Sequence, residues 1–252
     1  MSSATYVNER GLEQPDLESS SDRYALRFSG RVGRYLLERQ EQLTLELCEP
    51  WKGGTVLDIG GGHGQLVGPL AREGYRVTVL GTDPSCQQRP RHEVGREGYR
   101  ALTGDLLDPP LRDKSVDVVL AFRIMAHVTS WQRLLAAAAR VARHAVIVDF
   151  ATTDSLNSIA PMLFKLKKGF EGDTRQYGMM SRAEVGDELT SLGLPLLASR
   201  PQFFWPMALH RMGKLPFLSR GLEAPASWLG LTSRLGSPVI LRAAREGSLP
   251  SS

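Results

Sequence analysis

The stretch from Thr55 to Leu66, TVLDIGGGHGQL, constrains this chain more than any other. An apolar run with the composition of a buried strand ends at Asp58 and Ile59. Glycines follow at Gly60, Gly62 and Gly64 in a G-x-G-x-G spacing, with Gly61 between. Lacking a Cβ, they let the backbone turn sharply and approach a ligand closely. The next residues, 65–73, read as a helix whose first N–H groups would point into the turn. A strand, a glycine turn and a helix N-terminus in that order form the front of a nucleotide-type cofactor site. The plain alternative is a glycine-rich connection that holds nothing.

The spacing narrows the ligand. A dinucleotide fingerprint needs G-x-G-x-x-G. Counted from Gly60 the last position falls on Gln65, and counted from Gly62 it falls on Val67, so neither frame fits. With Asp58 two residues before the first glycine, the stretch resembles motif I of the class I S-adenosylmethionine (SAM) methyltransferases. The resemblance implies that Asp58 meets the methionine end of the cofactor, and that Gly60, Gly61, Gly62, His63 and Gly64 pack against it.

Three further segments extend the resemblance in the right order. Asp83 follows Gly64 by 19 residues, where the family holds the ribose hydroxyls with a carboxylate, although Gly81 and Thr82 separate it from the expected strand end. Asp105 and Leu106 match the pair that the family sets at the adenine. The run from Asp117 to Val128 resembles the fourth-strand region of the small-molecule branch, similar to quinone-biosynthesis methyltransferases. Phe122 there is expected at the cofactor. His127 is the candidate general base, because imidazole titrates near neutral pH; a structural role in the turn is its alternative. His63 is placed as a lining residue, and His144, His210 and His92 carry weaker signals.

Alternating strand and helix patterns fill the rest. Strands are expected at 55–59, 76–80, 99–102, 115–121, 145–150, 196–205 and 238–243. Helices are expected at 131–143 and at 181–192, the latter with a Ser181/Glu184 capping box and Gly193 beyond it. The implied fold is α/β: a doubly wound, seven-stranded, mostly parallel sheet of the Rossmann-like methyltransferase type, with the seventh strand antiparallel beside the sixth. The family often has a glycine pair between the 131–143 helix and the following strand; Arg140-Val141-Ala142-Arg143 lacks one, so a tighter turn is expected. Residues 1–21 read as a disordered tail, 22–50 as a helical cap, and 51–252 as the SAM-binding domain with inserts at 155–180 and 206–236.

Composition enters as a filter. No 18-residue apolar stretch is present, no signal-peptide pattern opens the chain, and Cys48 and Cys86 have no metal spacing. A reduced, cytoplasmic setting is the expectation. Basic and acidic residues balance through Phe150, and the net charge of +4 arises wholly beyond it. Asp108-Pro109-Pro110-Leu111 precedes the fourth strand and lacks the aromatic of the amino-methylating DPPY motif, so it reads as a turn. No acid stands between the fourth strand and His127, so no metal is expected. The substrate should be held by Tyr24, Phe28, Arg31 and Tyr35 and by the inserts, which carry Met and aromatic residues beside Lys165, Lys167 and Lys168. The expected activity is methyl transfer to oxygen or nitrogen of a small, hydrophobic or lipid-like acceptor, with peripheral membrane contact left open. Nucleic acid is not the expected partner. An RNA methyltransferase and a SAM-binding regulatory protein without catalysis stand as alternatives.

Overall fold

The structure, a computed structural model, describes residues 7–9, 11–26, 28–61, 64–95, 98–155, 178–206, 209–210 and 216–248. Seven strands form one sheet: β1 Thr55–Ile59, β2 Arg76–Gly81, β3 Arg100–Thr103, β4 Val116–Ala121, β5 Ala142–Phe150, β6 Leu196–Pro201 and β7 Val239–Ala244. Their spatial order is β3-β2-β1-β4-β5-β7-β6. The first five run parallel, and β7 pairs antiparallel with both β5 and β6. This is the sheet that the alternating pattern implies, including the antiparallel last strand.

The helices are α1 Asp16–Ser19, α2 Asp22–Leu26, α3 Gly30–Cys48, α4 Val67–Arg72, α5 Gln88–Val94, α6 Trp131–Val141, α7 Arg182–Ser191, α8 Pro216–Trp228 and α9 Leu231–Leu235. The capping box forms at α7: Glu184 N–H donates to Ser181 Oγ at 3.1 Å, and Ser181 N–H donates to Glu184 Oε2 at 2.7 Å. Strand alternation sorts the core. On β1, Val56 packs with Leu43, Leu47 and Leu70 of α3 and α4. Leu57 and Ile59 pack with Leu134, Leu135 and Leu189 of α6 and α7. Each such fully buried side chain contributes about 1.5–3 kcal/mol on leaving water, so the sheet is a stiff frame for what its edges carry.

Two expectations need correction. The tail assigned to residues 1–21 is structured over its described part. Asp16 is fully buried, and its carboxylate accepts hydrogen bonds from the Thr82 backbone N–H (2.8 Å) and the Thr82 hydroxyl. Glu13 likewise accepts from Thr129 N–H at 2.9 Å. The tight turn after the 131–143 helix is not a turn: α6 passes directly into β5 at Ala142. Arg140, Val141 and Arg143 have fair helix propensity, but Ala142 pairs with Val116 of β4, and that tertiary pairing outweighs it. Within the inserts, residues 156–177, with Lys165, Lys167 and Lys168, lie outside the described residues, as do Met207 and Met212.

Candidate cofactor and acceptor site

Ligands of open α/β sheets bind at the carboxyl ends of the strands, where the strand order reverses. Here the reversal falls between β1 and β4. Register and parity decide which side chains gather there. Asp58 is level with Leu120 of β4, and Leu120 with Ile147 of β5. Val56, Leu120, Phe122 and Ile147 all belong to the core on the α3 face. Asp58 is two residues beyond Val56, and Asp149 two beyond Ile147. With side chains alternating at period 2, both acids face α3 at the mouth of the sheet.

Both are buried, Asp58 at 3% exposure and Asp149 at 2%. Burial pushes the Asp58 carboxyl up to about 7; Arg123 beside it lowers the value, and Asp149 raises it. Asp149 is also raised, again chiefly by burial and against Arg123. Arg123 adopts a left-handed backbone with φ of 56° and donates its backbone N–H to Asp149 Oδ1. A non-glycine residue in that region stores strain, which this hydrogen bond helps hold. Its guanidinium donates to Gln40 Oε1 and lies 4.3 Å above the Phe28 ring. Gln40, buried on α3, completes the network: its Nε2 donates to Asp149 Oδ2 at 2.5 Å, and its Oε1 also accepts from Gln65 at 2.6 Å.

The glycine turn is built for close approach. Gly60, Gly61 and Gly64 have φ of 79°, 34° and 77°. A Cβ on Gly61 would stand 2.3 Å from Val79 Cγ1 and 3.8 Å from Asp58 Oδ2; one on Gly64 would stand 2.8 Å from the Pro90 Cα. Asp58, Gly61 and Phe122 line one small cavity together with Ser19, Tyr24, Gln65, Leu66 and Arg123. Ser19 and Tyr24 come from α1 and α2. Gly62 and His63 lie outside the described residues.

His127, at the end of the one-turn 3-10 helix Met125–His127, lines a second cavity of about 140 Å³. Its lining includes the polar Arg123, Gln40 and Asp149 and the apolar Phe28, Leu36, Leu37, Met125 and Phe150. Arg123 lines both cavities and so stands between them. Asp83 lies two residues past the end of β2, where its carboxylate accepts from Ser85 N–H at 2.8 Å, which lowers its pKa. Asp105 caps its own loop, accepting from Leu107 N–H at 2.8 Å. Leu106 is 1% exposed within the core on the α6 face, so its side chain offers a ligand no open surface. Among the described residues, no cluster of three His, Cys, Asp or Glu side chains could hold a metal ion. Cys48 and Cys86 are buried thiols with pKa pushed up to about 12 by burial.

Sequence reasoning passed over Gln40, Arg123, Asp16 and Asp149 as site residues. The parity of Asp149 with Asp58 was a usable signal. The other three act through contacts that no local pattern encodes. Their coupling is testable. Arg123→Met leaves two buried carboxylates without their cation, so a loss of about 3 kcal/mol is expected at pH 8. Both acids have raised folded pKa values, Asp58 to about 7, so the loss should shrink as pH falls through 7 and the Asp58 carboxyl protonates. Urea unfolding at pH 8 and pH 5 checks this; equal losses at the two pH values would refute the coupling.

The residues fit a cationic, adenosine-bearing ligand. A buried acid faces a glycine cradle, and the carboxylates of Asp83 and Asp105 follow the next two strands. The comparisons with known proteins agree. Residues 57–148 match the family model described as a methyltransferase domain. The ubiquinone biosynthesis O-methyltransferase of Sinorhizobium medicae is 30% identical over 171 residues, covering 64% of this chain and 67% of the relative. That of Rhizobium rhizogenes is 28% identical over 171 residues, with the same coverage. Among solved structures, magnesium protoporphyrin IX methyltransferase from Synechocystis with bound S-adenosylhomocysteine aligns with a TM-score of 0.62 at 16% identity, covering 89% of this chain and 94% of that one. A sarcosine dimethylglycine methyltransferase candidate from Galdieria sulphuraria aligns with a TM-score of 0.57 at 18% identity, covering 83% and 86%. These structures share the fold. Glycine turn, strand order and relatives converge: the chain belongs to the class I SAM-dependent methyltransferases, and S-adenosylmethionine is its methyl donor.

Proposed function

We propose that the acceptor is a hydroxyl group on a small, hydrophobic or lipid-like molecule, seated in the cavity that His127 lines. The observation that carries this is the make-up of that cavity: a mostly aromatic and aliphatic lining that also holds His127, Arg123 and Asp149. The relatives' name, ubiquinone biosynthesis O-methyltransferase, points to the same class. An acceptor of this kind partitions to lipid, so peripheral membrane contact belongs to the proposal, in a reduced, cytoplasmic setting.

In this reading Asp58 meets the ammonium of the methionine moiety, and the backbone of Gly60, Gly61, Gly62, His63 and Gly64 packs against the ligand. Asp83 takes the ribose hydroxyls, Asp105 the adenine edge, and Phe122 closes the floor. Leu106 supports the adenine loop from the core. The bound donor supplies a methyl already activated by its sulfonium. What remains for the protein is to hold the nucleophile in line and exclude water. Phe28, Leu36 and Phe150 orient and dehydrate the acceptor, and His127 takes the proton from its hydroxyl. The helices of 22–50, extended by α1, serve as the cap of the domain at 51–252.

The test uses labelled SAM with a hydroxybenzene bearing a prenyl tail, its tail-less analogue, and RNA. Transfer to the tailed phenol in preference to the analogue is expected. Transfer to RNA alone, or to neither phenol, would overturn the acceptor class.

A further inference from the structure

In the insert between β6 and β7, helix α8 is inside out. Among its described side chains the buried ones are Ser219, Glu223 and Ala226, at 1%, 9% and 5% exposure. Its apolar residues face outward: Phe217 is 65% exposed, Leu222 41%, Trp228 87%, and Leu229 just beyond the helix 61%. At the helical repeat these four, with Gly221, Ala224 and Pro225, fill an unbroken apolar arc of about 160°. Elsewhere the molecule follows the opposite rule; α6 buries Leu134, Leu135 and Val141.

The orientation is pinned. Glu223 accepts hydrogen bonds from the backbone N–H groups of Phe204 (2.9 Å) and Trp205 (3.0 Å), and its Oε1 lies 3.0 Å from His210 Nε2. Trp205 Nε1 donates to the Leu222 carbonyl at 3.1 Å. Rolling the helix to hide its apolar face would break these bonds and expose a buried carboxylate. Arg182 holds the following α9 by donating to the carbonyls of Ser233 and Gly236.

Charge names the medium. Residues 206–236 contain four basic residues and a single acid, and that acid is the buried Glu223. Arg220, exposed on α8 with its guanidinium 5.6 Å from the Tyr35 ring centroid, borders the apolar arc at the helical repeat, and Arg234 on α9 is also exposed. A second copy docking by the same face would offer these cations no exposed acid from its own 206–236 segment. An anionic lipid surface instead meets the cations with headgroups and the apolar arc with acyl chains. Among the described residues no helix is long and apolar enough to cross a membrane, so the contact is one of lying on the surface.

We infer that the outward face of α8 docks this protein onto an anionic lipid bilayer, with Trp228, Leu229 and Phe217 entering the interface and Arg220 and Arg234 at its rim. This extends the proposed lipid-like acceptor but stands on α8 alone, since it uses neither His127 nor the cavity beside it.

The test is co-sedimentation of the full chain with phosphatidylcholine vesicles with and without phosphatidylglycerol. Binding to the anionic vesicles that weakens as salt is raised is expected. The double variant Trp228→Ser/Leu229→Ser should lose at least about tenfold in partitioning. Its SAM affinity should be unchanged, which reports that it is folded. Arg220→Glu, a second variant, should lose the preference for anionic vesicles. Absence of vesicle binding at low salt, or equal binding by the folded double variant, would overturn the proposal. So would a lipid-free dimer that the double variant dissolves, since a second copy would then cover the face. Methylation of the short, tail-less phenol in solution reads the acceptor reading separately from docking.

Discussion

Asp58→Asn is expected to raise the dissociation constant for SAM about 100-fold, because the buried carboxylate proposed to meet the ligand's ammonium is lost. The pH dependence gives a sharper signature. In the free protein the Asp58 pKa stands at about 7, above its ordinary 3.8, and the leading cause is burial. Its contribution to stability is therefore fully present below about pH 4 and is lost as pH rises through 7. The asparagine variant should match the parent in stability at low pH and exceed it at pH 8. Ligand binding runs the other way. The ionised carboxylate is the form that meets an ammonium, so SAM affinity should rise between pH 6 and pH 8, with a proton released on binding. Titration calorimetry in buffers of different ionisation enthalpy measures that proton. Unchanged SAM affinity in the variant, or no proton release by the parent near pH 6.5, would remove Asp58 from the site.

His127→Gln should lower kcat about 10²–10³-fold with SAM affinity preserved, the usual worth of a positioned general base. The amide keeps a polar group of similar reach but cannot take a proton. A general base gives the rate profile an acid-side limb, and the variant should lose it. A purely structural histidine would instead lower stability and leave the shape of the profile intact. Rapid-quench measurement of a single turnover, with the phenolic acceptor in excess, separates chemistry from product release. A variant whose kcat equals the parent's would show that the acceptor needs no base here.

How legible the site was depends on how local its causes are. The turn at 58–64 could be read directly, because the strand's apolar run, the acid and the glycines lie within one short stretch and each answers a local steric need. The same holds for the α7 capping box, whose two bonds span three residues. The end of α6 could not be read, since a helix-compatible run becomes strand only because β4 lies alongside. The Gln40–Asp149 bond joins residues 109 apart in the chain. The left-handed Arg123 has no composition cue, because arginine rarely adopts that conformation without a partner to hold it. Asp16 lies in a polar segment whose composition resembles a tail, and only the Thr82 bonds give it a place.

The glycine turn at β1 therefore carried a nucleotide-type ligand in its spacing, and its resemblance to the methyltransferase motif, extended by Asp83 and Asp105, named the donor: close approach to such a ligand demands particular residues at particular intervals, and those intervals survive in one dimension. The tertiary structure decided what surrounds that turn. It set Asp149 beside Asp58, put Arg123 between two cavities, folded the N-terminal segment over the turn, and turned the apolar face of α8 outward. Each of these depends on which distant surfaces meet and on whether a buried charge finds a partner. Such energies are settled only when the chain is packed.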